Sequence, residues 1–384
     1  MKTRRYKDYD WWLISAAMLL AMFGVIMIFS ASFPLAIDMY DDPAHFFKRQ
    51  LIWLALGSVL LFFFMHFRYE GLKKLSPFLI AGTILLLILV LLVGTTIRGA
   101  TSWISIGPLT IQPSEFVKLA VIIYLAQVYS QKQAYINKFI SGVLPPLVLV
   151  VVVFSLIMLQ PDLGTAAAIL MTAGIIVFLS GAKMRHLTVL GLLSGGVITY
   201  FALSEPYRVQ RLIAFRDPFE TAERAADNAY QLVQSYISIA HGGLTGTGLG
   251  QSVQKMHYLP DPHTDFILAI VAEELGIFGI GFVLICLLTI AWRGIKAGIR
   301  CRKTFGTLLA FGIVFQIVSQ SIVNAGAATG LLPITGLPFP FLSYGGSSML
   351  VSMAGIGILA NISREGKRVK QAREEQAAEG REYG

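Results

Sequence analysis

Long apolar stretches alternate with short polar segments along this chain of 384 residues. Ten such stretches occupy residues 11–32, 51–67, 77–94, 116–129, 143–159, 164–181, 187–203, 266–290, 306–327 and 349–362. Most approach the ~20 residues that an α-helix needs to cross a hydrocarbon core of about 30 Å. The two shortest, 116–129 and 349–362, each follow a segment of intermediate polarity that could extend them. The pattern predicts an all-α polytopic membrane protein with about ten transmembrane helices.

The composition supports a membrane protein over a soluble one. Hydrophobic residues make up 55% of the chain and charged residues only 14%, whereas soluble domains carry about 25% charged residues. Two cysteines, Cys286 and Cys301, do not make a disulfide framework. The first apolar stretch ends in a sequence that resembles a signal-peptide cleavage site. Its apolar core of about 20 residues is too long for a typical signal, so we expect it to be retained as a helix.

The basic residues are distributed unequally between the two sides of the predicted membrane. With the N-terminus placed in the cytoplasm, 22 of the 31 Lys and Arg residues lie in cytoplasmic segments and eight lie outside, while Lys118 lies within a span. Cytoplasmic loops of membrane proteins carry this excess. It predicts that both termini are cytoplasmic, and it accounts for the net charge of +9 without a nucleic-acid partner.

One connection, residues 205–264 between predicted helices 7 and 8, is far longer than the others and too polar to span. We expect it to lie outside the cell. Its segment 228–241 carries apolar side chains on one helical stripe, which predicts an amphipathic helix on the outer membrane surface or over a cavity. That stripe consists of Tyr230, Val233, Ile237 and Ala240. The glycine-dense run at 242–250 lacks the Lys-Ser/Thr ending of a phosphate-binding loop, and we interpret it as a structural hinge.

The remaining connections are short. Residues 1–365 are therefore predicted to form a single membrane domain, with residues 366–384 as a charged cytoplasmic tail. We expect the chain to be disordered after Ile362.

Ionisable side chains at membrane depth are costly and by default mark function. Glu115 and Lys118 lie three residues apart at the start of the fourth span, so they share a face and can pair. The alternative is a helix-starting Glu and a Lys whose ammonium reaches back to the membrane surface. Asp162 lies in a very short outer loop, where a helix N-cap is an equally good interpretation.

Asp265 lies where the eighth span begins, at the outer membrane surface. An N-cap is the competing interpretation here too, although Thr264 could fill that role and leave Asp265 available. Glu273 and Glu274 lie about two turns deeper on other faces of the helix, so we expect them to pair within the bundle. Residues 338–348 form a broken polar segment before the last span, and non-helical backbone at this depth must be buried in protein or line a cavity.

Four motifs occur in one order along the chain: QPSE at 112–115 followed by Lys118, QPDLGT at 160–165, YLPDPHTDFILAIVAEELG at 258–276 and GLLPITGLPFPFLSYGGSS at 330–348. Together they closely resemble the SEDS family of bacterial cell-wall synthases, the RodA, FtsW and SpoVE proteins. The resemblance covers about residues 10–365. Residues 251–255 look more like the FtsW/SpoVE branch than like RodA.

The resemblance implies ten helices and peptidoglycan glycosyltransferase activity on lipid II at the outer leaflet of the bacterial inner membrane. It also implies a complex with a class B penicillin-binding transpeptidase, alongside other cell-wall assembly proteins and membrane lipids. Asp265 matches the essential aspartate of the family's HTDF motif. Glu115 and Lys118 match polar cavity residues of its fourth helix, and Asp162 matches the aspartate of its QPDLGT motif.

The chain departs from the family pattern in the third outer loop. Family members often have an Arg before the Trp of this loop, where this chain has Ser102 before Trp103. Arg98 lies nearby but is shifted, so a phosphate role for that arginine is not carried over.

The reaction implied by the resemblance joins a sugar hydroxyl to the anomeric carbon of a second lipid-linked sugar and expels a polyprenyl pyrophosphate. The hydroxyl needs a general base, for which Asp265 is the candidate. Pyrophosphate leaves without a proton donor but needs positive charge, with a divalent cation such as Mg or Mn as a possible aid. The candidate substrate-binding residues are Glu115, Lys118, Asp162, Arg49, Arg208, Arg211 and Ser343.

Two other functions fit parts of the pattern. Broken helices and charges at membrane depth also occur in transporters, which makes a lipid II flippase the first alternative. Against it, the polar residues gather near the outer face and the long loop is external. The second alternative is a non-catalytic membrane scaffold for the transpeptidase. The sequence leaves open whether the protein serves elongation, division or sporulation.

Overall fold

The computed structural model describes residues 9–97, 100–107, 109–223 and 227–382. The α-helices in these residues are α1 (Trp11–Tyr40), α2 (His45–His66), α3 (Tyr69–Val93), α4 (Pro113–Gln131), α5 (Leu144–Met158), α6 (Leu163–Leu179), α7 (Met184–Ser204), α8 (Pro206–Arg216), α9 (Pro218–Glu223), α10 (Asp227–Gly242), α11 (Ile267–Arg300), α12 (Thr304–Ala328) and α13 (Gly346–Glu382). A 3-10 turn (Gln133–Tyr135) and a π turn (Phe139–Val143) precede α5.

Each of the ten predicted spans coincides with a helix. Eight helices in the described part of the chain are long and apolar enough to cross a membrane, and α6 is apolar but shorter. The remaining one, α4, carries Glu115 and Lys118 within its first two turns. The all-α polytopic membrane architecture is confirmed, whereas the number of spans and the side on which the termini lie stay predictions.

A small antiparallel sheet joins α3 to α4 and was not predicted. Its strands are β1 (Thr95–Ile97), β2 (Ala100–Ile106) and β3 (Leu109–Ile111), with β2 in the middle. The segment is rich in Thr and Ile, which favour strands because their branched side chains fit a pleated surface. Arg98, the shifted arginine of this loop, lies outside the described residues.

The helices differ greatly in how much of their surface the bundle covers. Within the apolar window of α13, 94% of the residues are buried, whereas none is buried in that of α7. The helix α13 is therefore central in the bundle, and α7 is peripheral. Glycines let α2 and α13 approach closely, since a Cβ added at Gly357 would lie 2.5 Å from the carbonyl oxygen of Leu61. Such contacts between small residues are typical of helices packed in membranes.

The long helix α11 is broken near its N-terminal end. At Gly276 the backbone leaves the helical region, with φ 57° and ψ −144°. The glycine-dense run predicted as a hinge packs against this break, because a Cβ at Gly276 would lie 2.5 Å from the carbonyl oxygen of Leu244. Residues 267–275 therefore form a short buried helix ahead of the longer segment 277–300.

The amphipathic helix predicted in the long loop is confirmed as α10, and two residues of its apolar stripe are exposed, Tyr230 at 36% and Ile237 at 43%. Its buried face carries Ser235 and Ser238 because they donate hydrogen bonds to α12 and α11. The expected disorder after Ile362 is wrong, since α13 continues to Glu382. This segment is rich in Ala, Glu, Lys, Arg and Gln, which are strong helix formers.

Candidate functional site

The loop that carries Asp265 meets the non-helical segment 329–345 on the side of α12. Asn324 of α12 donates from Nδ2 to the backbone oxygen of Asp265 at 2.9 Å and to that of Leu337 at 2.8 Å. Gly336 has a φ of +74°, and a Cβ built on it would lie 3.7 Å from Oδ2 of Asp265. The half-buried Asp265 carboxylate therefore lies beside the backbone of this segment, and Asn324 holds both chains.

Asp265 does not occupy the N-cap position of α11. The helix α11 begins at Ile267, and its N-cap residue is Phe266, whose side chain makes no capping hydrogen bond. The hydroxyl of Thr264 donates to the backbone oxygen of Asp261 at 2.9 Å. Asp265 thus lies two residues before the first residue of the helix.

Lys118 of α4 contacts α12 at Gln320, which lies one helical turn from Asn324. Its ammonium donates to Oε1 of Glu115 at 2.7 Å and to Oε1 of Gln320 at 2.8 Å, and the Lys118 side chain is 1% exposed. The interpretation of Lys118 as reaching back to the membrane surface is therefore wrong. Gln320 also donates to the backbone oxygen of Pro338 at 2.7 Å, which connects the charge pair to segment 329–345.

The hydrogen bonds continue inward from Gln320. Gln316 donates to Oε1 of Gln320 at 2.9 Å, and Thr172 of α6 donates to Gln316 at 2.9 Å. A cavity of about 20 Å³ lies among Glu115, Lys118 and these two glutamines, which is about the room for one water molecule. Polar groups thus line one face of α12 from the middle of the bundle towards Asp265.

Asp162 caps α6, as one of the two interpretations predicted. Its Oδ1 accepts from the backbone N–H of Thr165 at 3.0 Å, and its Oδ2 accepts from Nε2 of Gln112 at 3.4 Å. The backbone N–H of Gln112 donates to Oγ of Ser347 at 2.8 Å. Three of the sequence motifs therefore meet around Gln112, although they lie up to 235 residues apart.

Two of the predicted basic residues lie near the Asp162 turn. Arg208 donates to the Tyr207 hydroxyl at 2.8 Å and to the backbone oxygen of Phe201 at 2.8 Å. The Tyr207 hydroxyl in turn donates to the backbone oxygen of Pro161 at 3.4 Å. The Arg211 guanidinium lies 5.9 Å from the centre of the Tyr207 ring. These contacts place positive charge beside the residue that precedes Asp162.

Arg49 occupies a different part of the bundle. It lies in the first turns of α2, beside the hydroxyl of Tyr344. Burial raises the pKa of Tyr344, and the neighbouring Arg49 partly opposes this rise. The Tyr344 hydroxyl consequently stays protonated at neutral pH. The backbone N–H of Tyr344 donates to the backbone oxygen of His263 at 2.9 Å, which ties this corner to the Asp265 loop.

Ser343 is buried in the turn before Tyr344. Its Oγ accepts from the backbone N–H of Phe339 at 2.8 Å, so in this conformation the hydroxyl closes the turn. Glu273 and Glu274 pair within the bundle, as expected. Glu274 contacts Lys255 at 2.8 Å, and Glu273 accepts from Ser238 at 2.8 Å.

Sequence reasoning missed three residues of the junction: Gln320, Asn324 and Gly336. The signal for the two amides was present, because Gln316, Gln320 and Asn324 recur every four residues in an otherwise apolar span. Among the described residues, no three His, Cys, Asp or Glu side chains converge as a metal site would require.

Comparison with known proteins matches residues 10–368 to the family model described as cell cycle protein, which covers FtsW, RodA and SpoVE. The chain is 41% identical to stage V sporulation protein E of Bacillus subtilis, with 94% of this chain and 99% of that protein covered. It is also 41% identical to the probable peptidoglycan glycosyltransferase FtsW of Bacillus subtilis, with coverage of 94% and 92%.

Solved structures show the same fold. One described as structural coordination of polymerization and crosslinking by a peptidoglycan synthase complex contains a chain with a TM-score of 0.75 and 28% identity, over 93% of this chain and 98% of that chain. The rod shape determining protein RodA of Thermus thermophilus gives a TM-score of 0.68 and 28% identity, with coverage of 93% and 97%.

Proposed function

This chain belongs to the cell cycle protein family of FtsW, RodA and SpoVE, and on that premise we propose that it polymerises lipid II into glycan strands at the outer leaflet. Its activity is that of a peptidoglycan glycosyltransferase. In the proposed reaction, a hydroxyl of one lipid-linked sugar attacks the anomeric carbon of another. A glycosidic bond forms, the bond to the polyprenyl pyrophosphate breaks, and the hydroxyl proton passes to a base.

The observation that supports this assignment best is the setting of Asp265. Its half-buried carboxylate lies at the end of the long loop, beside Gly336 and two residues before α11 begins. A carboxylate fixed at such a point can accept the proton of an attacking hydroxyl, which typically contributes about 10²–10⁴ in rate. We therefore assign Asp265 as the general base.

Positive charge must stabilise the departing pyrophosphate. The arginines near the site are suited to contact it directly. Arg208 and Arg211 lie beside the Asp162 turn, and Arg49 lies beside Tyr344. Arginine suits phosphate oxygens because its planar guanidinium presents several fixed donors. Lys118 is already held by Glu115 and Gln320, so we propose that this pair organises the floor of the site.

A divalent cation would fit this site if the pyrophosphate of the substrate supplied most of its ligands. Magnesium is commonly held by one or two carboxylates together with substrate phosphates. Asp162 offers one carboxylate near the two arginines, while Glu115 is already paired with Lys118. We therefore propose that any cation would bind mainly to the pyrophosphate. Loss of polymerisation in EDTA, recovered with Mg²⁺ or Mn²⁺, would support this, whereas unchanged activity would argue against it.

The related complex pairs polymerisation with crosslinking, and this supports a class B penicillin-binding transpeptidase as the partner of this chain. The apolar helices make the protein a multi-pass membrane protein, and we place it in the bacterial inner membrane. Its substrate is then supplied by a reaction that presents lipid-linked disaccharide at the outer surface.

The test is polymerisation of lipid II by purified protein with its transpeptidase. Asp265→Asn keeps the side-chain volume but accepts no proton at neutral pH, so we expect a folded protein that makes almost no glycan. Asp217→Asn is the control, because Asp217 is an exposed aspartate that accepts from the backbone N–H of Glu220 at 3.3 Å, and Asn caps a helix about as well as Asp. Near-normal polymerisation by Asp265→Asn would refute the base assignment. Lipid II transport without any polymerisation by the wild type would favour a flippase, and neither activity would favour a scaffold.

A further inference from the structure

A second buried charge pair, Lys255 with Glu274, lies outside the proposed catalytic site. The Lys255 ammonium donates to Oε1 of Glu274 at 2.8 Å, and the two side chains are 4% and 0% exposed. Ser30 of α1 donates to both oxygens of Glu274 at 2.6 and 2.7 Å and accepts from Lys255 at 3.1 Å. The pair thus joins the outer loop, α11 and α1 at one point.

Asp265 lies almost midway between these partners along the chain. Lys255 precedes it by ten residues and Glu274 follows it by nine, so the ion pair closes a ring of chain around the proposed base. We propose that Lys255 and Glu274 are positioning residues that fix Asp265 for catalysis. This inference rests on the proposed function of Asp265 as the base.

The surroundings of the pair support this role. Glu273 accepts from Ser252 at 2.6 Å, from the backbone N–H of Val253 at 2.9 Å and from His241 at 3.0 Å. The adjacent carboxylates therefore hold the loop segment before Lys255 at several points. Because buried charges are costly unless paired and hydrogen-bonded, this degree of satisfaction makes the geometry rigid.

The ring has a second fixed point at Asp265 itself. Asn324 of α12 holds the backbone oxygen of Asp265, while the break at Gly276 ends the short helix that begins at Ile267. With both ends of the ring closed by the ion pair and its middle held by α12, the carboxylate has little freedom. Opening the pair loosens the ends of the ring, which the Glu273 contacts then hold alone, and leaves the Asn324 contact in place.

The experiment compares Lys255→Met, Glu274→Gln and the double variant with Arg293→Met. Arg293 is a matched control, because its guanidinium pairs with Asp10 at 2.7 Å and joins the same two helices, α1 and α11, at their other end. Each single variant leaves one charge buried without its partner, which costs more than removing both. The double variant therefore keeps the test usable if a single variant fails to fold.

We expect the Lys255 and Glu274 variants to lose kcat by about a hundredfold, since a displacement of 1 Å can cost that much. KM for lipid II should stay within about twofold, because substrate contacts are intact. Arg293→Met should lose thermal stability in detergent but keep kcat. Equal kcat in the Lys255, Glu274 and Arg293 variants, or a loss confined to KM, would overturn the inference.

Hydrogen–deuterium exchange supplies a readout that needs no activity. Backbone amides of residues 256–266 should exchange faster in the Lys255 and Glu274 variants than in the wild type, and should not change in Arg293→Met. Unchanged exchange in all variants would overturn the positioning role. If the wild type makes no glycan while exchange rises only in these variants, the proposed function fails and the structural part of the inference stands.

Discussion

The side-chain amide of Asn324 donates a hydrogen bond to the backbone oxygen of Asp265 at 2.9 Å. Its other N–H donates to the backbone oxygen of Leu337 at 2.8 Å, and Asn324 is 1% exposed. One buried amide on α12 therefore sets the distance between the loop that carries the proposed base and the non-helical segment before α13. The proposed catalytic geometry depends on this residue although it offers no proton-transfer chemistry itself.

Asn324→Ala should reduce both stability and polymerisation. Two buried carbonyl oxygens would lose their donor, at a cost of about 1–3 kcal/mol each for an unsatisfied group. The control is Asn361→Ala, because Asn361 is also a buried amide and donates to the backbone oxygen of Met65 at 2.9 Å in another part of the bundle. Thermal unfolding in detergent should fall in both variants, whereas kcat should fall only in Asn324→Ala. A normal kcat in Asn324→Ala would contradict this account.

Lys118→Met should sharply lower polymerisation, because it leaves the Glu115 carboxylate buried without its cation. Breaking a buried pair typically costs about 3–5 kcal/mol, so a part of the loss will be in stability. Combining it with Glu115→Gln should restore stability without restoring activity. Lys118→Arg need not rescue, since a planar guanidinium replaces a compact ammonium.

Lys303→Met provides a comparison for Lys118→Met. Lys303 pairs with Glu70, but both side chains are largely exposed, and exposed pairs contribute about 0–1 kcal/mol. Stability and activity of this variant should be close to those of the wild type in thermal unfolding and lipid II polymerisation. If Lys118→Met behaved like Lys303→Met, the buried pair would have no part in the site.

Gly336→Ala should impair catalysis more than stability. A residue with a side chain at a φ of +74° costs about 1–2 kcal/mol, and its Cβ would lie 3.7 Å from Oδ2 of Asp265. Gly250→Ala is the control, since Gly250 has a φ of +82° and nothing within 4 Å of an added Cβ. Both variants should unfold at similarly reduced temperatures, and only Gly336→Ala should polymerise slowly. Equal activity would show that the space beside Asp265 is not critical.

The orientation predicted from charge can be tested with single cysteines. Thr245→Cys in the long loop and Arg302→Cys between α11 and α12 are both exposed sites. In a background with Cys286→Ser and Cys301→Ser, an impermeant maleimide added to intact cells should label the first and not the second. Labelling of both from one side would refute the ten-span topology.

The places of the apolar helices along the chain could be derived from the sequence, because the cost of exposing backbone and charge to lipid leaves long apolar runs few alternatives. The same cost marked Glu115, Lys118, Asp162 and Asp265 as candidates. For Asp162 the sequence left two interpretations, and the structure shows the cap. For Lys118 the structure excluded a surface-reaching ammonium, and it placed Asp265 outside the N-cap position of α11.

Only the tertiary structure decided which groups meet. Apolar periodicity separates a helix's buried face from water, but in a membrane the lipid is as apolar as the protein interior, so pattern alone could not orient the helices against one another. On α10 the buried face carries Ser235 and Ser238, which find hydrogen-bond partners on α12 and α11, and the apolar pattern did not predict this. The contacts of Asn324 with Asp265 and of Lys255 with Glu274 depend on such packing, which brings together segments that no sequence period relates.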